Sequence, residues 1–341
     1  MASDTDDRAT PDAEAETDLI RGGRVLITGG AGLIGSNIAD RCVRAQAAEV
    51  VIFDTIASST AKSLELSTPT TKVTALYGDP RNREALAKTV EGIDVVFHQT
   101  AVRVSQCADN PRLAVEVMVD GTLNLLEAAV KAKVKKVIVA SSAAIYGDAD
   151  MLPTAERHHP YNNRTLYGAC KLFCEQLLRT FYDTYGLDYV ALRYYNVYGP
   201  RMGTIGADVH IMIRWMERIA EGRPPNIHGD GKETLDFVHV DDVARANVIA
   251  ARSTITDEAF NIGSGVETSL DDLAKLLLRV MGSPLRPEYL PERKRRNVRR
   301  RLAETTKARE LLGFEAVIPL EEGLRELVAW WRDQRRWTKR S

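Results

Sequence analysis

An α/β fold, a doubly wound parallel sheet followed by a smaller C-terminal lobe, is what the sequence predicts, and three observations predict it. Short β-branched runs alternate with helix-like stretches from Arg24 onward, which is the pattern of successive βαβ units. A glycine-rich turn, Gly29 to Gly35, joins the first run directly to the first helix. After Gly199-Pro200 the alternation breaks into short segments punctuated by Gly222, Pro224, Pro225, Gly229 and Gly231, where a second lobe is expected to begin.

Taken in order, residues 1–20 are rich in Asp, Glu, Ala and Thr, with seven acidic residues and one Arg among the first 18. Such a segment buries too little apolar surface to offset its ordering entropy, so a disordered tail is expected. Its charge and polarity are also wrong for a signal peptide. Strands are predicted at Val25 to Thr28, Val50 to Phe53, Val73 to Tyr77, Val95 to Phe97, Val137 to Ala140 and Tyr189 to Arg193. Between them, Leu33 to Ala45, Arg81 to Val90, Arg112 to Lys131 and Leu166 to Tyr185 carry apolar residues at three- and four-residue spacing, the stripe of an amphipathic helix. A last helix, Leu320 to about Trp337, has Leu324, Leu327 and Trp331 on one stripe, a packing face. The expected division is a tail at 1–20, a Rossmann-type domain at 21–198 and, at 199–341, mainly the second lobe.

Composition narrows the function. The 341 residues carry 46 basic and 47 acidic side chains, a net charge of −1, whereas a dedicated nucleic-acid binder would show a strongly basic domain. No apolar run approaches the roughly 20 residues that span a bilayer, and a cytoplasmic location is expected. Cys42, Cys107, Cys170 and Cys174 are too scattered for a disulfide scaffold. Cys170 and Cys174 share a helix face but lack neighbouring His or Cys, so they read as small core residues and no metal is expected.

The turn after the first strand has the spacing G-x-x-G-x-x-G at Gly29, Gly32 and Gly35. Gly29 permits a tight turn, Gly32 admits a pyrophosphate to the backbone amides, and Gly35 lets helix and strand pack closely. Leu33 and Ile34 open the helix whose amino end favours that anion. Asp54 ends the second strand 19 residues beyond Gly35, where a carboxylate accepts both ribose hydroxyls and repels a 2′-phosphate, favouring NAD over NADP on a Rossmann-type domain. Asp79-Pro80 after the third strand meets the adenine amino group or is an ordinary turn.

Tyr167 and Lys171 stand four apart on one helix face, and a neighbouring cation favours the phenolate that serves as a base. Ser142 follows the fifth strand, at the carboxyl edge where open α/β sheets keep their sites. Three compatible roles are far more specific than one.

The segments Thr28 to Gly35, Ser141 to Gly147, Tyr167 to Lys171, Arg193 to Arg201 and Asp236 to Asp242 resemble the NAD-dependent epimerase/dehydratase family, extended short-chain dehydrogenase/reductases acting on nucleotide sugars. The likeness runs from about Arg24 to Trp331, including Phe260 to Gly265 and Lys307 to Gly313. It implies Ser142, Tyr167 and Lys171 as the catalytic triad. It puts Gln99, Thr100, Ala101 and Arg103 near the cofactor, with Tyr195 beside the nicotinamide. Asn196 falls at the sugar-nucleotide diphosphate, and Ala143, Ile227 and His228 fall with the substrate. His228 either stacks on uracil or is a turn residue. The implied reaction is UDP-sugar 4-epimerisation: oxidation to a 4-keto sugar, rotation about the diphosphate link and hydride return. A homodimer through the Arg112 to Lys131 and Leu166 to Tyr185 helices is also implied.

Departures from the family bear on the reaction. The dehydratases carry an acidic pair after the triad Ser/Thr and the xylose-forming decarboxylases a Glu, whereas this chain has Ala143 and Ala144, which supply no second acid or base. Leu235 replaces an Arg that contacts the diphosphate, and Met118 replaces an Asn near the cofactor. Arg293 to Arg301 holds seven basic residues in nine positions. One Arg reaching the diphosphate is the favoured reading over a solvated loop or RNA binding. His158-His159 read as loop residues. Rival functions are a dehydratase or net oxidoreductase of the same family, and a non-catalytic NAD or sugar-nucleotide sensor.

Overall fold

A computed structural model describes residues 18–55, 68–204, 209–292 and 298–338. The strands are β1 (Arg24–Thr28), β2 (Glu49–Asp54), β3 (Lys72–Tyr77), β4 (Val95–His98), β5 (Lys136–Ser142), β6 (Asp188–Tyr194), β7 (Asn196–Tyr198), β8 (Asn226–His228), β9 (Thr234–His239), β10 (Glu258–Ile262), β11 (Glu267–Ser269), β12 (Glu288–Leu290) and β13 (Arg300–Arg301). Seven of them form one parallel sheet in the order β10-β6-β5-β4-β1-β2-β3. The central strands are buried on both faces, which is why Val, Ile, Leu and Phe fill β1, β2 and β4 without polar alternation. Winding reverses between β1 and β4, so the crevice beyond their carboxyl ends is the place for a ligand.

All six predicted strands and the helix Leu166–Tyr185 form. That helix begins where Thr165 Oγ1 accepts from the Gly168 amide at 3.1 Å and ends at Gly186, φ +67°. The predicted helix Arg112 to Lys131 forms within one continuous helical run over 111–132, which widens in the middle. Pro111–Val115 and Gly121–Ala132 flank a π turn at Glu116–Asp120. Here the Met118 carbonyl accepts from Thr122 Oγ1 at 2.5 Å and from Cys174 Sγ at 3.1 Å, bonds that hold the widened turn. Val115 and Phe173 stand exposed on these helices.

One boundary differs from expectation. Ile20 is fully buried in the main core and Asp18 pairs with Arg252 at 2.9 Å, so residues 18–20 are anchored rather than part of a tail. Residues 1–17 lie outside the described residues. The lobe boundary at 198/199 is crossed in reverse, because the helix Val240–Arg252 packs on the helix Leu33–Arg44 and β10 pairs with β6. A parallel edge beside β6 needed another strand, and the C-terminal half supplies it.

The remaining C-terminal elements enclose a separate core around Trp215, Ile227, Leu273, Leu277, Leu324 and Trp331. In its small sheet β9 pairs with antiparallel β11 and with parallel β13 and β7. Asp236 of β9 is fully buried. Its carboxylate accepts from the amides of Ser264, Gly265 and Ala303 and from Ser264 Oγ at 2.7–3.1 Å, tying β9 to the segments after β10 and β13.

Candidate active site

The glycine turn is built by steric necessity. Gly29 sits at φ +67°, and a Cβ there would lie 2.9 Å from Gln99 C and Thr100 N, so the chain leaving β4 passes directly over the turn. At Gly35 a Cβ would come within 2.4 Å of Gly29 O. By contrast, at Gly32 it would meet only Gly29 O, at 3.2 Å, and so point into an open cradle. The helix Leu33–Arg44 that follows has no side-chain cap and no acidic residue in its first turn, which leaves its amino end for an anion. Asp54 Oδ2 accepts from the Ala31 amide at 3.0 Å, so this carboxylate stands at the lip of the cradle. Asp79 is gripped by Arg81, whose Nη2 reaches Oδ2 at 2.6 Å, and the Arg81 hydrogen bond holds the Asp79 carboxyl below the usual range. The Pro80 carbonyl accepts from Asn124 Nδ2 at 3.2 Å. The open cradle, the uncapped helix terminus and the strand-end carboxylate fit a dinucleotide. Gly29, Gly32, Leu33, Ile34, Gly35 and Asp54 would hold its phosphates and ribose.

Ser142 lies at the end of β5, in register with Tyr194, and its Oγ accepts from the Ala144 amide at 3.1 Å. From the helix Leu166–Tyr185, Lys171 places Nζ 5.9 Å from the Tyr167 ring centroid and donates to Ala140 O at 2.6 Å. The sheet thus fixes the ammonium beside the phenol, on the strand that carries Ser142. Lys171 is buried, without an acid in salt-bridge contact among the described residues. His98, which ends β4, joins Thr28 Oγ1 at 2.6 Å and Thr122 Oγ1 at 2.9 Å. Burial, with Lys171's charge behind it, pushes His98 down to about 3, so its ring is neutral. Nothing in the sequence marked it, since a lone His closing an apolar strand has no spacing signature.

A buried network braces this pair from behind. Arg193 of β6 binds Glu175, one turn beyond Lys171, through Nε–Oε1 at 2.9 Å and Nη2–Oε2 at 2.6 Å. Ser141 donates to the same carboxylate, and Arg193 also donates to Tyr146, which donates to Asn261. A second network joins Gln99, Tyr194 and Asn247, so the β4 loop is tied to β6 and to the helix Val240–Arg252.

The other predicted site residues fall as follows. Tyr195 packs with Ala143, Ile145, Tyr146 and Ala303, its hydroxyl buried without a hydrogen-bond partner among the described residues. Asn196 Nδ2 donates to Asp236 O at 3.0 Å. Ala101 and Arg103 are exposed beyond β4. Met118 is buried with Val102, Cys107, Ala114 and Cys170, and contacts Cys107 Sγ at 4.0 Å. Ile227 is fully buried in the lobe core, and His228 Nδ1 lies 3.2 Å from Pro291 O. His158, His159 and Asp150 cluster in the loop before the triad helix. There His158 Nε2 already accepts from the Asp150 amide, which agrees with loop residues.

A parallel sheet with a glycine cradle at its switch point, and a Ser, a Tyr and a Lys converging from the adjoining strand and helix, defines a nicotinamide-dependent enzyme of the Rossmann type. Residues 25–263 match the NAD dependent epimerase/dehydratase family, and the chain belongs to that family, with NAD as its cofactor. It is 35% identical over 314 residues to UDP-glucose 4-epimerase of Mycolicibacterium smegmatis, covering 91% of this chain and 99% of the relative. The structure of UDP-glucose 4-epimerase from Thermotoga maritima with UDP-glucose matches with a TM-score of 0.84 at 34% identity, over 91% of this chain and 99% of that one. That of MoeE5 in complex with UDP-glucuronic acid and NAD matches with a TM-score of 0.80 at 31% identity, over 92% and 100%. No helix among the described residues is long and apolar enough to cross a membrane.

Proposed function

We propose that this chain is a UDP-sugar 4-epimerase. The observation that carries the reading is the Tyr167–Lys171 pair on a redox-competent cradle, next to a Ser142 followed by Ala143 and Ala144. Oxidation and reduction at C4 need one proton acceptor. Eliminating water from C5 and C6 needs a further acid and base, which two alanines do not supply. UDP-sugars named in the matching structures support the substrate class.

In this reading Tyr167 takes the proton of the 4-hydroxyl and later returns it. The Lys171 ammonium, held on Ala140 O at 2.6 Å, stabilises the phenolate that forms. Ser142 hydrogen-bonds the same sugar oxygen. NAD, when bound, supplies a hydride acceptor and donor at C4. Because both faces of C4 must be presented in turn, the nucleotide end has to stay fixed, which is the work assigned to Asn196.

Incubation with UDP-glucose, UDP-glucuronate and UDP-N-acetylglucosamine, with products separated chromatographically, tests the proposal. At least one sugar is expected to give its 4-epimer, and Tyr167→Phe to lower turnover by about 10²- to 10⁴-fold. A 4-keto-6-deoxy product, or unchanged turnover in Tyr167→Phe, would refute it.

A further inference from the structure

Of the arginines at 299–301, Arg299 approaches Glu292 at 3.9 Å and Arg300 pairs with Glu267 at 2.7 Å. Arg301 reaches no acid among the described residues, and its Nε is buried without a hydrogen-bond partner there. β13 sets Arg301 in register with Leu235 of β9. Two residues on, Ala303 packs against Ala143 and Tyr195. Extended residues two apart share a face, so the Arg301 side chain rises on the side of the triad. The guanidinium lies in the electric field of Tyr195, Tyr167 and Asp148, and burial draws its pKa down. Tyr195's hydroxyl, the second buried orphan of this wall, feels Arg301 in return. A desolvated guanidinium beside an unpaired phenol is costly until an anion completes it.

Resting on the 4-epimerase reading, we propose that Arg301 receives the C6 carboxylate of a UDP-hexuronate and makes the uronate the preferred substrate. Tyr167 must meet the oxygen on C4. C6 hangs from C5, the adjoining ring carbon, whereas the diphosphate hangs from C1 across the ring. Arg301 shares its strand face with Ala303, which clusters with Ala143 and Tyr195 beside Ser142, and that placement assigns it to the carboxylate end rather than to the diphosphate expected of this basic run. The planar guanidinium matches a carboxylate bidentately. Ala143, packed against Tyr195, brings no acid to repel it.

C4 epimerisation of UDP-glucuronate and of UDP-glucose by the full chain with NAD tests the assignment. The wild type is expected to favour glucuronate. Arg301→Gln should lower the kcat/KM ratio of glucuronate over glucose by about 30-fold or more, and Arg301→Lys, which keeps charge but loses the fork, should fall between. A wild-type preference for UDP-glucose, or equal losses on both sugars as a diphosphate contact would give, overturns the proposal. If neither of these sugars nor UDP-N-acetylglucosamine turns over, the epimerase reading fails. The ratio of calorimetric affinities for the same two UDP-sugars then decides on Arg301 by the same criteria. Should Arg301→Gln fail to fold, Arg301→Lys carries the comparison.

Discussion

Asp54 is the single side chain proposed to select the cofactor. Its carboxylate is held at the lip of the glycine cradle by the Ala31 amide at 3.0 Å, where it would face the ribose of a nucleotide lodged there. A 2′-phosphate would bring like charge against it at contact distance. NAD is accordingly expected to bind at least about tenfold more tightly than NADP, with the gap narrowing in Asp54→Ser. Equal affinities, measured by calorimetry on the wild type, would remove Asp54 from this role. Residues of this kind were legible in the sequence because their meaning is local: Gly29, Gly32 and Gly35 announce a turn, and Asp54 lies at a fixed offset. His98 and Arg301 were not legible as individuals, since their positions depend on strand register and on which neighbours burial leaves without a partner.

Single elements are fixed by how β5, β6 and the helix Leu166–Tyr185 lock together. The Arg193–Glu175 pair joins strand to helix inside the core, and Glu175 accepts two arginine bonds while Ser141 supplies a third. Removing one member strands a buried charge, which costs more than the pair contributes. Arg193→Met is expected to destabilise the fold by about 3–5 kcal/mol in chemical denaturation, and Arg193→Met combined with Glu175→Leu by less than the single change. A double variant weaker than Arg193→Met would show that the pair is net stabilising. The sequence foretold a long helix over about Leu166 to Tyr185, and it forms there. The sequence did not foretell the π turn at Glu116–Asp120, because the bonds from Thr122 and Cys174 that hold the Met118 carbonyl leave the apolar spacing intact. β10 was likewise hidden, since pairing with β6 is decided across the fold.

Across the whole molecule, the main sheet carries the cradle and Ser142 at its carboxyl edge, with Tyr167 and Lys171 on the adjoining helix, and the lobe adds β7, β9 and β13. Asp236 at the centre of that lobe sheet is bonded from β10's exit and from Ala303, so the proposed substrate wall with Tyr195 and Arg301 is built from three distant stretches. Past residue 199 the chain builds mainly the lobe, and it returns once to the first sheet to finish it with β10. Such an arrangement suits a reaction in which the sugar is oxidised and reduced without leaving. An enzyme of this kind should transfer the same hydride out and back. With substrate deuterated at C4, the 4-epimer is expected to retain deuterium at C4 through many turnovers, with no free NADH accumulating. Deuterium lost to water, or NADH rising steadily, would contradict the epimerase account.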